Sequence, residues 1–187
     1  MLELNSEPVG QGRERTCYIH PDDDFKLIKI SRDEDTTQSR REIDFYRRLQ
    51  KDREISYTHL PRFYGLVNTS HGSGIVVDLI RDFDGSISHS LRWYLDQGNP
   101  LEDYLPLLDE LKSYLLDNLV IFNHDVVTRN LLLQRLDENS SRLVLIDGIG
   151  DVVFLQWLNR FPGHVRSKIN RRWQRFIDRL NARLNSN

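Results

Sequence analysis

One stretch limits the possible folds more than any other: residues 123–147, NHDVVTRNLLLQRLDENSSRLVLID, followed by Gly148. Within it Asp125 is followed five positions later by Asn130, then by an apolar run, a polar stretch, a second apolar run and Asp147. The two apolar runs, 130–133 and 143–146, flank the polar residues 137–142 and predict a β-hairpin, and the chemistry is expected beside it. Moving the terminal phosphoryl group of ATP requires a carboxylate to orient the attacking hydroxyl and oxygen ligands to hold magnesium against the phosphates. Asp125, Asn130 and Asp147 supply these groups in that order, with Asp125 as the catalytic carboxylate and Asn130 and Asp147 as the metal ligands.

Composition narrows the class without naming a chemistry. The chain has 187 residues, 39% hydrophobic and 29% charged, with a formal net charge of -2. A domain of this size buries about 70% of its unfolded surface, so a true core is expected. The charge balance argues against both a nucleic-acid binder and an acidic disordered chain. Cys17 stands alone, which rules out an internal disulfide and a thiolate cluster and fits a reducing compartment, with cytoplasm as the expected location. The opening MLELNSEPVGQGRE lacks the basic start and apolar run of a signal peptide, and no run approaches the ~20 apolar residues of a membrane span, so neither export nor membrane crossing is expected.

Local patterns divide the chain. Residues 2–4, 17–19, 25–30, 63–67 and 74–80 read as strands, with turns at 21–24 and 82–85. From Thr37 a helical pattern places Ile43, Tyr46 and Leu49 on one face. Residues 1–80 therefore predict a five-stranded antiparallel sheet plus one helix. Residues 81–187 predict a mainly helical second lobe, with helices over 88–97 and 101–118, the hairpin, and a last helix over 164–184. Leu105, Leu108, Leu111, Leu115 and Leu119 mark the apolar face of the second of these helices. The last helix places Val165, Ile169, Trp173, Ile177, Leu180 and Leu184 on its stripe, with Arg and Lys mostly around it.

The spacing Asp125-x-x-x-x-Asn130 resembles the catalytic loop of the protein-kinase-like superfamily, and Asp147-Gly148-Ile149 approximates its metal-binding D-F-G. Two departures stand out: the H-R-D triplet is Asn123-His124-Asp125, and Gly148 replaces the Phe, which argues against regulation by a flipping Phe. His124 is expected to be structural. The resemblance implies an α+β, minimal bilobal fold that binds ATP and Mg2+. On that expectation Gly10-Gln11-Gly12 resembles the start of a glycine-rich phosphate loop, with Arg15 where the third glycine would stand and Cys17 where an apolar side chain would cover the adenine. Lys29, inside the apolar strand Leu27-Ile28-Lys29-Ile30, would reach the phosphates, with Glu42 on the next helix as its partner. Backbone groups of Asp78, Leu79 and Ile80 would meet the adenine edge.

A closer resemblance spans nearly the whole chain. The segments VGQGRERTCYIHP, LPRFYG, DLIRDFDG and Arg129-Asn130-Leu131-Leu132 look like the YrbL family, a bacterial group linked by name to the PhoP regulatory network. It implies a cytoplasmic protein distantly related to sugar and lipopolysaccharide-core kinases. Each residue taken singly has a plainer reading. Gly10 and Gly12 suit a hairpin turn, Lys29 suits an edge-strand charge, Glu42 a solvated helix position, and Asp147-Gly148 a turn.

The stretch after Asp147 shows no A-P-E-like segment, so a shortened second lobe without peptide-docking helices is expected. The functional expectation is a phosphotransferase whose acceptor is a protein Ser/Thr or a sugar or lipopolysaccharide-type hydroxyl. The alternatives are a pseudokinase acting as a nucleotide-binding regulatory module through protein or envelope partners, and an adaptor working through its basic last helix. That helix is expected chiefly to complete the core, with an acidic surface or a phosphorylated ligand as its candidate partner.

Overall fold

The computed structural model describes residues 1–12, 15–32, 42–47, 55–122, 126–150 and 161–184. They fall into two compact units, Met1–Ile87 and Ser88–Asn187.

In the first unit, a two-residue strand, β1 (Gly10–Gln11), precedes four strands rich in β-branched and aromatic residues, β2 (Arg15–His20), β3 (Asp23–Ser31), β4 (Phe63–Thr69) and β5 (Gly72–Asp78). They form one antiparallel sheet in the order β1-β2-β3-β5-β4. Because side chains alternate along a strand, β3 serves two faces at once. Ile28 and Ile30 join Tyr18, Val76 and Leu4 in an apolar cluster on one face. Lys29 points the other way, in register with Cys17 on β2 and Ile75 on β5. Residues 42–47 form the helix α1, whose buried Tyr46 ring stacks on Phe63 at 5.2 Å and 9°.

The amino-terminal strand expected over 2–4 is absent as such. Leu2 makes a single parallel bridge to Thr69, its backbone tied to Asn68 and Ser70 at 2.9 Å each, and the Leu4 N–H donates to Ser70 Oγ at 3.2 Å. Leu4 instead buries its side chain in the apolar cluster. The glycine segment itself supplies the first strand, paired Gly10 to Cys17 and Gln11 to Thr16. The first unit also runs beyond Ile80. Arg81 bridges Ile87, Gly85 turns the chain with φ of 85°, and Arg81 Nε donates to the Asp24 carbonyl of β3 at 2.8 Å.

The second unit opens with α2 (Leu91–Asp96), which starts later than the apolar pattern suggests because the Ser90 side chain caps it. A 3-10 turn, Leu101–Tyr104, leads into α3 (Leu105–Asp117), which buries Leu108, Leu111, Tyr114 and Leu115. Leu105, expected on that face, is exposed at the helix start. α3 packs against the hairpin strand β7 (Ser141–Leu145), which pairs with β6 (Leu131–Arg135), and against α4 (Pro162–Leu184). The buried face of α4 carries Val165, Ile169, Trp173, Phe176 and Leu180. Phe176 takes the place expected of Ile177, since steps of three and four from Ile169 reach 173, 176 and 180.

The protein is thus α+β. A five-stranded antiparallel sheet with one helix is followed by a mainly helical unit carrying a two-stranded hairpin, the element order expected from the sequence. Among the described residues no helix is long and apolar enough to cross a membrane.

Candidate functional site

In the first unit the candidate groups meet on the α1 side of the sheet. Lys29 Nζ donates to Glu42 Oε1 at 3.2 Å, and both side chains are nearly inaccessible, at 5% and 2% exposure. Alternation along β2 puts Arg15 and Cys17 on the same face as Lys29, and the Arg15 guanidinium donates to the other oxygen, Glu42 Oε2. One buried carboxylate therefore serves two buried cations, one from β2 and one from β3. The sequence places Arg15 in a basic phosphate loop; the structure places it inside, at 7% exposure. The signal was its register, since Arg15 lies two residues from Cys17 and so on the inward side of β2.

The glycine segment behaves as a tight hairpin. The Gly12 N–H donates to the Arg15 carbonyl at 2.8 Å, so Gly12 offers space rather than a donor. A Cβ at Gly10 would come no nearer than 3.8 Å to another atom, and one at Gly12 no nearer than 3.7 Å. Neither glycine has a positive φ. Half-buried Cys17 lies opposite Lys29 in the register, between that residue and Gly10.

At the end of β5 the expected adenine-edge backbone is already engaged in part. The Asp78 N–H donates to the Arg62 carbonyl at 3.1 Å and the Leu79 N–H to the Phe25 carbonyl at 2.8 Å. The Asp78 carboxylate accepts from the Arg62 N–H at 2.8 Å and from the Tyr64 hydroxyl at 2.7 Å. Burial of the phenol, followed by the hydrogen bond and charge of Asp78, pushes the Tyr64 pKa up to about 12. Ile80 is buried.

In the second unit the hairpin sets Asn130 and Asp147 at one end. β6 begins at Leu131, opposite Leu145, and the Ile146 N–H donates to the Asn130 carbonyl at 2.9 Å. Asn130 closes a 3-10 turn, Thr128–Asn130, through its N–H to the Val127 carbonyl at 2.8 Å. Asp147 follows one residue after Ile146, and its Oδ1 accepts the Gly148 N–H at 2.7 Å. Gly148 has φ of 79°, a left-handed conformation in which a Phe would be strained, which accounts for glycine after the Asp. Arg129 is exposed in the same turn. Asp125 and His124 lie outside the described residues.

Oxygen donors of this type suit magnesium, which takes one or two protein ligands and completes its shell with water and phosphate. Among the described residues no group of three or more His, Cys, Asp or Glu could hold a metal unaided, and a carboxylate with an amide oxygen fits a metal shared with a phosphate.

The family described as PhoP regulatory network protein YrbL matches residues 2–181, and the chain belongs to it. It is 34% identical over 184 residues to protein YrbL of Escherichia coli K12, covering 95% of this chain and 87% of that one. The figures for protein YrbL of Shigella flexneri are the same. Among solved structures, a double mutant of the PknI kinase domain of Mycobacterium tuberculosis is similar with a TM-score of 0.49 and 16% identity. That match covers 75% of this chain, which spans 56% of the PknI chain.

Proposed function

We propose that this protein is an ATP- and magnesium-dependent phosphotransferase acting on a hydroxyl acceptor, a protein Ser/Thr or a sugar of the lipopolysaccharide type. The observation that carries the reading is the buried Lys29–Glu42 pair. Burying an ion pair is a poor way to gain stability, because desolvation offsets the attraction, so a strand Lys held this way has a better explanation as a phosphate ligand kept in place by its partner.

In this reading Lys29 meets the α and β phosphates and Glu42 orients it. Gly10 and Gly12, which the fold itself requires neither for space nor for backbone angle, leave room for a phosphate chain. Cys17 and the backbone of residues 78–80 take the adenine, with the Asp78 and Leu79 N–H groups excluded as donors. Asn130 and Asp147 hold magnesium, which supplies charge neutralisation at the phosphates when bound. Asp125 orients the acceptor hydroxyl and takes its proton as the acceptor oxygen bonds to the γ-phosphorus. The bond from that phosphorus to the bridging oxygen breaks, and ADP leaves.

A second reading has a specific observation in its favour: Arg15 occupies one oxygen of Glu42, so the carboxylate is divided between two cations. On this reading the protein is a pseudokinase, a nucleotide-binding regulatory module.

A transfer assay with γ-labelled ATP, alone and with envelope extract, tests both. The enzyme reading expects label in the wild type and its loss in Asp125→Ala and Asp147→Ala. Equal signal from all three proteins defeats it, and magnesium-dependent ATP binding without transfer selects the module.

A further inference from the structure

Four basic side chains of α4, Arg166, Arg172, Arg179 and Arg183, reach back to other parts of the unit. Arg172, at 3% exposure, lies within the apolar face between Ile169 and Phe176, where a hydrophobic side chain would pack without the desolvation cost of a guanidinium. Its Nη1 donates to the Phe122 carbonyl. Two turns further along, about 10 Å up the helix axis, Arg179 Nη2 donates to the Val126 carbonyl at 3.3 Å. Trp173, next to Arg172, meets the Phe122 ring edge-on at 6.2 Å.

Both carbonyls lead directly to the candidate metal ligands. Phe122 pairs antiparallel with Ile149, two residues past Asp147, and the Gly150 N–H donates to the Ile121 carbonyl at 2.9 Å. Val126 is followed by Val127, whose carbonyl accepts the Asn130 N–H. In sequence, Asp125 stands between the two anchored residues. The other ends of α4 are occupied differently: Arg166 faces Asp117 at 3.9 Å and Arg183 faces Asp96 at 3.4 Å.

We propose that Arg172 and Arg179 are positioning residues, which fix the segments on either side of Asp125 and through them the Asn130 and Asp147 pair. The assignment to metal binding rests on the nucleotide reading above; the fixing of the segments does not. A charge-assisted hydrogen bond from a guanidinium to a backbone carbonyl is directional, close at the buried Arg172 and longer at the exposed Arg179, and a helix that completes the core is a rigid base from which to place a ligand.

The test uses the full chain as wild type, Arg179→Ala, Arg179→Lys, Arg172→Lys and, as a control on the same helix, the exposed Arg171→Ala. Hydrogen exchange is measured across the chain. Thermal shift is measured with a non-hydrolysable ATP analogue over a magnesium titration. In Arg179→Ala and Arg172→Lys, amides of residues 126–130 and 147–150 should exchange about tenfold faster while those of α3 stay at wild-type rates. The magnesium concentration for half-maximal stabilisation should rise about tenfold, as it does when an outer-shell partner of a metal ligand is lost. Arg179→Lys should recover most of the difference, and Arg171→Ala should match wild type.

Exchange that is unchanged in both segments, or accelerated equally throughout the unit, overturns the proposal, and Arg179→Ala gives this answer even if Arg172→Lys does not fold. Should wild type show no nucleotide-dependent shift at all, the nucleotide reading fails, while the exchange pattern still decides whether the arginines fix these segments.

Discussion

Lys29 and Glu42 are held by side chains, in a layer where charge meets charge away from water. Asn130 and Asp147 are held by backbone, at the end of a hairpin whose N–H and carbonyl groups are bonded to one another and to the turn before it. The two arrangements respond differently to loss of one side chain. A buried carboxylate between two cations cannot be removed without taking a partner from both, whereas a hairpin end keeps its shape when the Asn130 or Asp147 side chain is lost, because its own strand pairing rather than either of those side chains holds it. Stability and activity should therefore separate at Asp147 and travel together at Glu42.

Asp147→Ala should show that separation most strongly. Transfer should fall on the order of 10³-fold, the worth of several kcal/mol of charge stabilisation by a metal. Denaturant unfolding should register only the lost bond to Gly148, about 1 kcal/mol. A large loss of stability would mean that the hairpin end depends on that carboxylate, and the contrast with the first unit would collapse.

Glu42→Ala should destabilise the protein by about 3–5 kcal/mol, since it leaves buried cations without their carboxylate. Lys29→Met should cost clearly less in the same urea titration, because Arg15 still holds Glu42, yet it should abolish transfer. Equal costs for the two variants would show that Arg15 does not share the carboxylate.

The glycines sharpen the comparison further. Gly148→Ala forces a side chain into a left-handed conformation and should cost about 1–2 kcal/mol. Gly12→Ala meets nothing closer than 3.7 Å and should leave the unfolding midpoint within about 0.5 kcal/mol of wild type. Its effect, if the phosphate reading is right, appears only as weaker ATP binding.

The smallest effect concerns pH. With its pKa raised from 10 to about 12 by burial and by Asp78, Tyr64 favours the protonated phenol in the folded state. Its contribution to stability is therefore complete below pH 10 and is lost as pH rises from 10 through about 12. Burial also raises the Tyr57 and Tyr104 pKa values, so spectroscopic titration should lose one of several late-ionising tyrosines in Tyr64→Phe.

The parts of this molecule that are legible in sequence are those set by period and turn chemistry. Short runs bounded by turns revealed β3 and β5, the paired apolar runs revealed the hairpin, and apolar steps of three and four revealed α3 and α4. Three features were not legible, each for a physical reason. Leu2 to Leu4 reads as a strand, but pairs only through Leu2. Arg15 reads as a loop charge because its partner Glu42 lies in another element, and such a pairing appears only once the register is known. Arg172 reads as one of the charges around the stripe of α4, because its partner is a backbone carbonyl with no sequence signature.

The proposed function requires Lys29 for ATP binding and Asp147 for its response to magnesium, and ATP affinity with and without magnesium tests that most directly in wild type, Lys29→Met and Asp147→Asn. Magnesium should tighten ATP binding to wild type about tenfold or more. Asp147→Asn should lose that gain while keeping the magnesium-free affinity, and Lys29→Met should weaken binding under both conditions. Wild-type affinity that is indifferent to magnesium, or wild-type behaviour in both variants, would contradict it.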